Sequence, residues 1–320
     1  MEPMKLKPAV KDYIWGGTRL REEYGVDAPL DRLAEAWVLS CHPQGENVVA
    51  NGRYQGMTLA EAIRDMGPEC LGSRAQRFDY FPILIKLIDA KENLSVQVHP
   101  DDAYARRVEH EFGKTEAWYI LDAQEGAELI YGFQKKISQE EFRRRIADQT
   151  LLEVVNRVPV KKGDLFFIEA GTLHAIGKGI LLAEIQQNSN TTYRVYDYGR
   201  VGADGKPREL HVDKAVEVTH CAPPAHSGRP QGEPQHFDGY TKTLLVSCEL
   251  FTSHRLEIST QAMLAVDEAS FVSLLALEGE GTLTACGQML PFQKGESVFL
   301  PAGSGEYRLS GAMTVLETRV

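Results

Sequence analysis

A glutamine and a histidine stand two residues apart in the segment LSVQVHPDD, residues 94–102, directly before a proline. Side chains alternate between the two faces of a strand, so Gln97 and His99 share one face while Val96 and Val98 share the other. An amide oxygen and an imidazole nitrogen on one face are able to bind a metal ion. A solvated face of an antiparallel sheet is the alternative, because Gln and His are ordinary residues there.

Two more candidate ligands stand at the starts of later strand-like runs. Glu116 lies in FGKTEAWYIL and His174 in AGTLHA. Together with Gln97 and His99, they would bring imidazole, carboxylate and amide groups from three strands to one end of a barrel. This set suits Zn²⁺ first and Mn²⁺, Co²⁺ or Fe²⁺ next, and the lack of thiolate favours a catalytic site with an open position.

Composition limits the class of protein. A chain of 320 residues, 43% apolar and 25% charged, is long enough for two domains with sizeable cores. Its formal charge of −10 argues against a nucleic-acid partner, and no apolar run has signal-peptide or membrane-span length. The five cysteines show no CxxC spacing, which argues against a disulfide framework. We therefore expect a cytoplasmic protein with no membrane or nucleic-acid partner.

The predicted elements are mostly short strands bounded by Gly, Pro, Asp or Asn. Helices are predicted where capping boxes precede them, from Thr58 to Glu61 and from Ser138 to Glu141. The fold class is therefore mainly β with inserted helices. The strand-like runs are EAWVLS, FPILIKLI, SVQVH, AWYIL, AELIYGF, DLFFIEA, ILLAEIQQ, TLLVSCELFTSHRLEI, FVSLLALEGEGTLTA, ESVFLPAG and MTVLETRV.

An internal repeat predicts two barrels in tandem. KKGDLFFIEAGTLHAIGKG, residues 161–179, and QKGESVFLPAGSGEYRLSG, residues 293–311, align without a gap. A glycine turn, a short strand and a second glycine turn are typical of a jelly-roll barrel of the cupin type. Glu306 occupies the place of His174, and no histidine follows His254, so we expect metal ligands in the first barrel alone.

The expected domain boundary lies in a segment rich in proline and glycine, residues 221–239. The prediction is a catalytic cupin domain with inserted helices over residues 1–220, a linker over residues 221–239, and a second barrel without metal ligands over residues 240–320.

The sequence resembles the type I mannose-6-phosphate isomerases, in their short bacterial form. The resemblance implies a zinc ion, one per chain, held by Gln97, His99, Glu116 and His174. It thereby favours the metal site over the solvated face. The matching segments run over nearly the whole chain: YIWGGTRL, AEAWVLSCHP, FPILIKLIDAKENLSVQVHPDD, FGKTEAWYIL, AGTLHAIGKGILLAEIQQNSNTTYRVYDYGR and KPRELHV.

The reaction that the resemblance implies is the interconversion of mannose 6-phosphate and fructose 6-phosphate by proton transfer through an enediol. Such chemistry needs a base, a cation beside the substrate oxygens, and an anchor for the phosphate. Glu184 is the expected base, Glu35 shares or relays the proton, and Arg194 stabilises developing charge. An ordinary strand glutamate and an Arg194–Asp197 ion pair remain the alternatives for Glu184 and Arg194.

The remaining basic and hydroxyl matches are expected in the substrate pocket. Lys114 is grouped with the catalytic residues, while Lys86, Ser95 and Arg200 are expected to bind substrate. Each of the basic residues is otherwise explained as a surface charge.

Two other functions stay open on the sequence. A cupin oxygenase would use Fe²⁺ in a two-histidine, one-carboxylate site, and a non-catalytic sugar-binding cupin would need no turnover at all. Formation of fructose 6-phosphate from mannose 6-phosphate, with and without a chelator, separates the three. The sequence leaves the oligomeric state open.

Overall fold

The computed structural model describes residues 2–202 and 205–320, in which strands are the commonest regular element. The strands are β1 Met4–Lys7, β2 Ala9–Lys11, β3 Glu35–Leu39, β4 Val48–Val49, β5 Ile83–Ala90, β6 Val96–Val98, β7 Glu116–Ala123, β8 Glu128–Phe133, β9 Val155–Pro159, β10 Leu165–Ile168, β11 His174–Ile176, β12 Ile180–Gln187, β13 Tyr193–Tyr196, β14 Gln235–Phe237, β15 Tyr240–Ser247, β16 Thr252–Ile258, β17 Gln261–Val266, β18 Val272–Ala285, β19 Gln288–Gln293, β20 Ser297–Leu300 and β21 Gly305–Arg319. The α-helices are α1 Arg19–Tyr24, α2 Leu59–Met66, α3 Asp102–Val108, α4 Gln139–Ala147 and α5 Val212–Val218. Short 3₁₀ helices cover Pro68–Leu71, Ser73–Arg77 and Leu151–Glu153. The expectation of a mainly β fold with inserted helices is confirmed.

The helix starts follow the predicted capping residues. Thr58 and Glu61 form both halves of a capping box before α2. Ser138 accepts a hydrogen bond from the backbone N–H of Glu141 at the start of α4, which is the first half of the predicted box.

Three antiparallel sheets make up the fold. A six-stranded sheet has the order β10-β7-β12-β5-β3-β2, and a five-stranded sheet has the order β13-β6-β11-β8-β9. A ten-stranded sheet runs β14-β15-β16-β21-β18-β20-β1-β4, with β17 on β21 and β19 on β18.

The six-stranded sheet is the middle layer and is covered on both faces. One face, with Ile88 and Trp118, packs in a core that includes Leu129 of the five-stranded sheet. The other face, with Ile85, shares a core with Leu275 of the ten-stranded sheet. Strands β5 and β12 are consequently buried along their whole length, which explains why their sequences are apolar runs without alternation.

Two helices cover the outer face of the five-stranded sheet. Phe142 and Ile146 of α4 and Ala215 of α5 share one core with Val96 and Val98 of β6. The two valines that alternate with Gln97 and His99 therefore face the helices, and this leaves the polar pair on the inner side.

The internal repeat is present in the backbone. Strands β10 and β20 occupy matching positions, and the turns before them have glycines with similar positive φ, 92° at Gly163 and 88° at Gly295. The turns after them match in the same way, with φ of 86° at Gly171 and 73° at Gly303. Glu306 is exposed in the second copy. The wider expectation of two tandem jelly-roll barrels stays a prediction.

The ends of the chain meet in the ten-stranded sheet. Strand β1 pairs with β20, so that Met4 lies opposite Phe299. Part of the expected linker is also in this sheet, since β14 pairs with β15. The proposed domain boundaries stay a prediction. Strand β1, from the first predicted domain, forms part of the same sheet as the strands of the second.

Candidate metal centre and active site

The inner faces of the five- and six-stranded sheets carry the candidate residues. In the five-stranded sheet, His174 and Arg194 both lie opposite Gln97, from the two strands that flank β6. In the six-stranded sheet, Glu184 lies between Lys86 and Trp118 of its two neighbours. Antiparallel register therefore brings residues that are distant in sequence into two facing rows.

Three of the four predicted metal ligands meet in the interior. Nε2 of His99 lies 3.1 Å from Nε2 of His174. Glu116 places Oε1 3.4 Å from His174 Nε2 and Oε2 3.7 Å from His99 Nε2. All three side chains are buried, and their ligand atoms lie within 4.8 Å of one another.

The hydrogen bonds of the two imidazoles leave both Nε2 atoms as acceptors. Nδ1 of His99 donates to the carbonyl of Thr191, and Nδ1 of His174 donates to that of Thr172, each at 2.8 Å. Burial lowers the pKa of His99 well below its usual value, helped by the charge of Lys114, and lowers that of His174 to about 3. Two neutral imidazoles that point their lone pairs at each other fit a bound cation.

Glu116 completes a donor set that suits a divalent metal. Its Oε2 forms an ion pair with Lys114 Nζ at 2.8 Å, whereas its buried Oε1 has no donor among the described residues. Burial and the nearby charge of Glu184 raise the pKa of Glu116 to about 7. Lys114 Nζ, which also lies 3.1 Å from His99 Nε2, is a cation beside these ligand atoms, and Oε1 stays without a donor. One carboxylate oxygen and two imidazole lone pairs around one point fit the expected metal.

Gln97, the fourth predicted ligand, stands beside this group. Its Nε2 is 3.5 Å from His174 Nε2, and its Oε1 is 3.4 Å from the hydroxyl of Ser95. Ligation through Oε1 requires the amide to turn about its last torsion, which exchanges the positions of two atoms of similar size.

Glu184 is an ionised carboxylate held between cations. Its Oε1 lies 3.0 Å from Lys86 Nζ and 4.0 Å from Lys114 Nζ, and its Oε2 accepts a hydrogen bond from the Trp118 indole at 2.9 Å. Burial alone would raise its pKa, but the two lysines outweigh burial and hold the pKa at about 2. Glu184 is therefore a weak base until these cations move or find another partner.

Lys86 joins the two predicted acid–base residues. Its Nζ is 3.8 Å from Glu35 Oε2, on the side away from Glu184. Trp37 donates to the same Glu35 oxygen at 2.6 Å. Although burial favours the neutral amine, Glu184 and Glu35 raise the pKa of Lys86 above its usual value, so that the ammonium is retained.

Arg194 and Ser95 extend this network towards Gln97. Nε of Arg194 donates to the Ser95 hydroxyl at 3.2 Å, and Nη1 donates to the carbonyl of Glu209 at 3.0 Å. The carboxylate of Asp197, the alternative partner for Arg194, is instead bonded to Arg200 and Arg208.

Arg200 and Arg208 differ in the number of guanidinium nitrogens that remain available to bind a substrate. The three guanidinium nitrogens of Arg200 all donate to Asp197 and to the carbonyl of Asn93. Arg208 uses Nε and Nη2 on Asp197, at 2.7 and 2.6 Å, while Nη1 has no acceptor among residues 2–202 and 205–320. Binding of substrate by Arg200 stays a prediction.

A cavity of about 280 Å³ opens over these groups. It brings together most of the predicted residues, namely Glu35, Lys86, Ser95, Gln97, Lys114, Glu184 and Arg194. Arg208, Tyr13 and Trp15 also line it, and sequence reasoning assigned them no role although all three lie in segments that match the family. His99, Glu116 and His174 are more deeply buried than this wall.

In the part of the chain that the structure describes, every helix is too short or too polar to cross a bilayer.

Comparisons with known proteins identify the family. The family model for the catalytic domain of type I phosphomannose isomerase matches residues 4–134, and that for the mannose-6-phosphate isomerase cupin domain matches residues 241–320. The mannose-6-phosphate isomerase ManA of Bacillus subtilis (strain 168) is 42% identical, over 97% of this chain and 96% of its own length. That of Streptococcus mutans is 39% identical, over 98% and 97%.

A solved structure agrees over the full length. The crystal structure of the mannose 6-phosphate isomerase from Bacillus subtilis superposes with a TM-score of 0.93 at 39% identity, and all of each chain is covered. A putative mannosephosphate isomerase from Archaeoglobus fulgidus, at 21% identity and a TM-score of 0.76, shares the fold. The chain therefore belongs to the type I phosphomannose isomerases and is a mannose-6-phosphate isomerase.

Proposed function

We propose that this enzyme interconverts mannose 6-phosphate and fructose 6-phosphate through an enediol and depends on one zinc ion per chain. The observation that carries the metal requirement is the buried group of two imidazole lone pairs and the Glu116 carboxylate, whose Oε1 has no donor among the described residues. His99, Glu116 and His174 would hold the ion, with Gln97 as the fourth ligand. When bound, the ion supplies positive charge that stabilises negative charge on the substrate oxygens.

The proposed proton transfer uses Glu184. Its carboxylate removes the proton from C2 of the aldose and returns it to C1, while the proton of the C2 hydroxyl moves from O2 to O1, so that the carbonyl passes from C1 to C2. Because Lys86 and Lys114 hold its pKa low in the free enzyme, we expect the bound sugar to draw these ammonium groups onto its own oxygens. Glu35, on the other side of Lys86, is the second carboxylate able to relay a proton.

The charge balance of the cavity favours an anionic sugar. Four cationic side chains line it, against two carboxylates, Glu35 and Glu184. Two of the four, Arg194 and Arg208, form no ion pair with Glu35 or Glu184 in the described part of the chain; Arg208 is bonded to Asp197, and its Nη1 has no acceptor among the described residues. We place the phosphate at this arginine end, because guanidinium groups fit phosphate oxygens in a forked geometry.

The test is turnover of mannose 6-phosphate by purified protein, after removal of metal with a chelator and after stepwise return of zinc. The proposal expects fructose 6-phosphate to form with zinc and to fall to background without it. Full activity in the protein from which the metal has been removed would contradict the proposed zinc requirement. Oxygen consumption with no isomerisation would favour a cupin oxygenase instead.

We further propose that the enzyme works in the carbohydrate metabolism of the cytoplasm. All five cysteines are free thiols, which fits a reducing compartment.

A further inference from the structure

A second and larger cavity lies outside the proposed active site. It has a volume of about 750 Å³ and opens between the helical segment 59–81 and the loops that hold His42, Glu111 and Asn188. Small-molecule sites commonly have this size. Its lining includes none of the residues given a role in the isomerase reaction.

Most of its wall is apolar. Ile63 of α2, Leu71 and the consecutive aromatic residues Tyr80 and Phe81 line it, together with Phe78. Tyr80 is 41% exposed although it stacks on Phe112, so that part of an aromatic surface remains open to a ligand. Such a wall favours a molecule with an aromatic or branched aliphatic body.

One end of the cavity is formed by Glu111 and Asn188. Asn188 is 3% exposed; its Nδ2 donates to the Phe81 carbonyl at 2.9 Å, and its Oδ1 is itself buried. The Glu111 side chain is 33% exposed, and among the described residues its Oε1 has His42 Nε2 at 3.6 Å, which is too long for a hydrogen bond. A ligand head group with N–H donors would bond to this Glu111 oxygen.

The charge of the lining favours a cation at that end. Burial lowers the pKa of His42, so its imidazole adds no charge at neutral pH, despite the nearby Glu111. Its Nδ1 accepts the backbone N–H of Gln44 at 3.1 Å, which is consistent with the neutral ring. Asp79 is ion-paired with Arg106, and the carboxylate of Glu111 supplies the negative charge beside His42 at this end of the cavity.

The same carboxylate is connected to a proposed metal ligand. Oε2 of Glu111 accepts hydrogen bonds from the hydroxyls of Ser189, at 3.2 Å, and Thr191, at 3.0 Å. The carbonyl of Thr191 in turn accepts the Nδ1–H of His99 at 2.8 Å. A ligand that moves Glu111 would therefore act on the loop that fixes the orientation of the His99 ring.

We propose that this cavity binds a small primary amine with an aromatic or branched aliphatic body, and that its occupancy alters metal affinity through Glu111, Thr191 and His99. Binding of the amine stands on the cavity alone, whereas the coupling rests on the proposed metal centre.

Phenethylamine is the probe for binding, measured by titration calorimetry on the zinc-loaded enzyme, with phenylacetate as the control of opposite charge. We expect phenethylamine to bind and phenylacetate not to bind. Glu111→Gln should weaken binding at least tenfold, and Ile63→Trp, which fills the cavity, should abolish it. Glu233→Gln, an exposed acid elsewhere, should bind as the wild type does. No binding to the wild type, or undiminished binding to both cavity variants, would overturn the proposal.

Coupling is measured without turnover, as zinc affinity in competition with a chelator, with and without saturating phenethylamine. We expect a change of about fivefold or more in the zinc Kd, and no change in Glu111→Gln. Phenethylamine that binds without altering zinc affinity would overturn the coupling. If the enzyme binds zinc and phenethylamine but fails to isomerise mannose 6-phosphate, the proposed function fails while the cavity assignment stands.

Discussion

At the scale of the residue, Lys86 connects the two carboxylates that are candidates for proton transfer. It lies 3.0 Å from Glu184 and 3.8 Å from Glu35, and Trp118 and Trp37 each donate an indole hydrogen bond to one of these carboxylates. Indole N–H groups have no charge to lose, so they orient the carboxylates without competing for the proton.

Glu184→Gln tests the base assignment. We expect kcat to fall roughly 10²- to 10⁴-fold, as for other acid–base groups, while metal content stays unchanged because Glu184 is not a proposed ligand. Metal analysis and steady-state kinetics on the same preparation measure both. Near-normal kcat would move the base to Glu35, and the parallel Glu35→Gln variant would then carry the larger loss.

Arg208→Ala tests the phosphate anchor. Loss of a charge-assisted hydrogen bond should raise KM for mannose 6-phosphate by about 10- to 100-fold, with a smaller effect on any unphosphorylated sugar that is accepted. Arg200→Ala is the matched control, because both arginines bond Asp197 and only Arg208 lines the cavity. A larger KM effect from Arg200 would return the anchor to the residue expected from the family resemblance.

At the scale of the element, strands β15 and β21 hold a buried carboxylate in the ten-stranded sheet. Glu317 is fully buried and accepts hydrogen bonds from the hydroxyl of Tyr307 at 2.6 Å, from Lys242 at 2.9 Å and from Arg319 at 2.8 Å. Burial alone would raise its pKa, but Arg319 and Lys242 outweigh burial and lower the pKa to about 2.

The lowered pKa of Glu317 predicts acid sensitivity. A carboxylate with a lower pKa in the folded than in the unfolded chain stabilises the fold above pH 4.5, and this stabilisation is lost as the pH falls towards 2. The full effect is on the order of 3 kcal/mol. Urea unfolding between pH 5 and pH 3 should show a steeper loss of unfolding free energy in the wild type than in Glu317→Gln. Equal slopes would contradict the shift.

The sequence predicts an element well when a local residue pattern determines it, and poorly when contacts elsewhere in the fold determine it. The long apolar runs around Glu184 and Lys86 are recognisable because burial on both faces leaves no alternation. The short strands β17 and β19 were not predicted, since they lie at the exposed rim of the ten-stranded sheet and half of their residues are polar or exposed. Arg208 was missed for another reason: it lies in a loop outside the named strands, where no periodic pattern predicts which way a side chain points, and its place is fixed by an ion pair with Asp197.

At the scale of the whole molecule, one copy of the internal repeat carries the candidate ligands. The second copy keeps the glycine turns and the buried strand, but Glu306 is exposed where the first copy has His174. Its strand β18 instead places Leu275 and Leu277 against the six-stranded sheet that supports the active site. We therefore assign this copy a packing role.

The number of metal ions bound per chain tests whether only the first copy of the repeat holds metal. We expect about one tightly bound ion per chain, because the second copy cannot supply two imidazoles, and near zero in His174→Ala. Elemental analysis of dialysed protein measures both values, and His236→Ala, a change in an exposed histidine, is the control. Two ions per chain, or one that survives in His174→Ala, would imply a site elsewhere.

The pairing of β1 with β20 has a consequence for synthesis. Met4 leaves the ribosome almost 300 residues before its partner Phe299, which at ordinary translation rates is a delay of roughly 15 to 60 s. During that interval the apolar face of the six-stranded sheet, with Ile85 and Leu87, lacks the layer that covers it in the finished chain. We therefore expect chaperones that bind exposed apolar strands to bind the nascent enzyme. A chain truncated before β20 would leave this apolar face exposed and would be prone to aggregate.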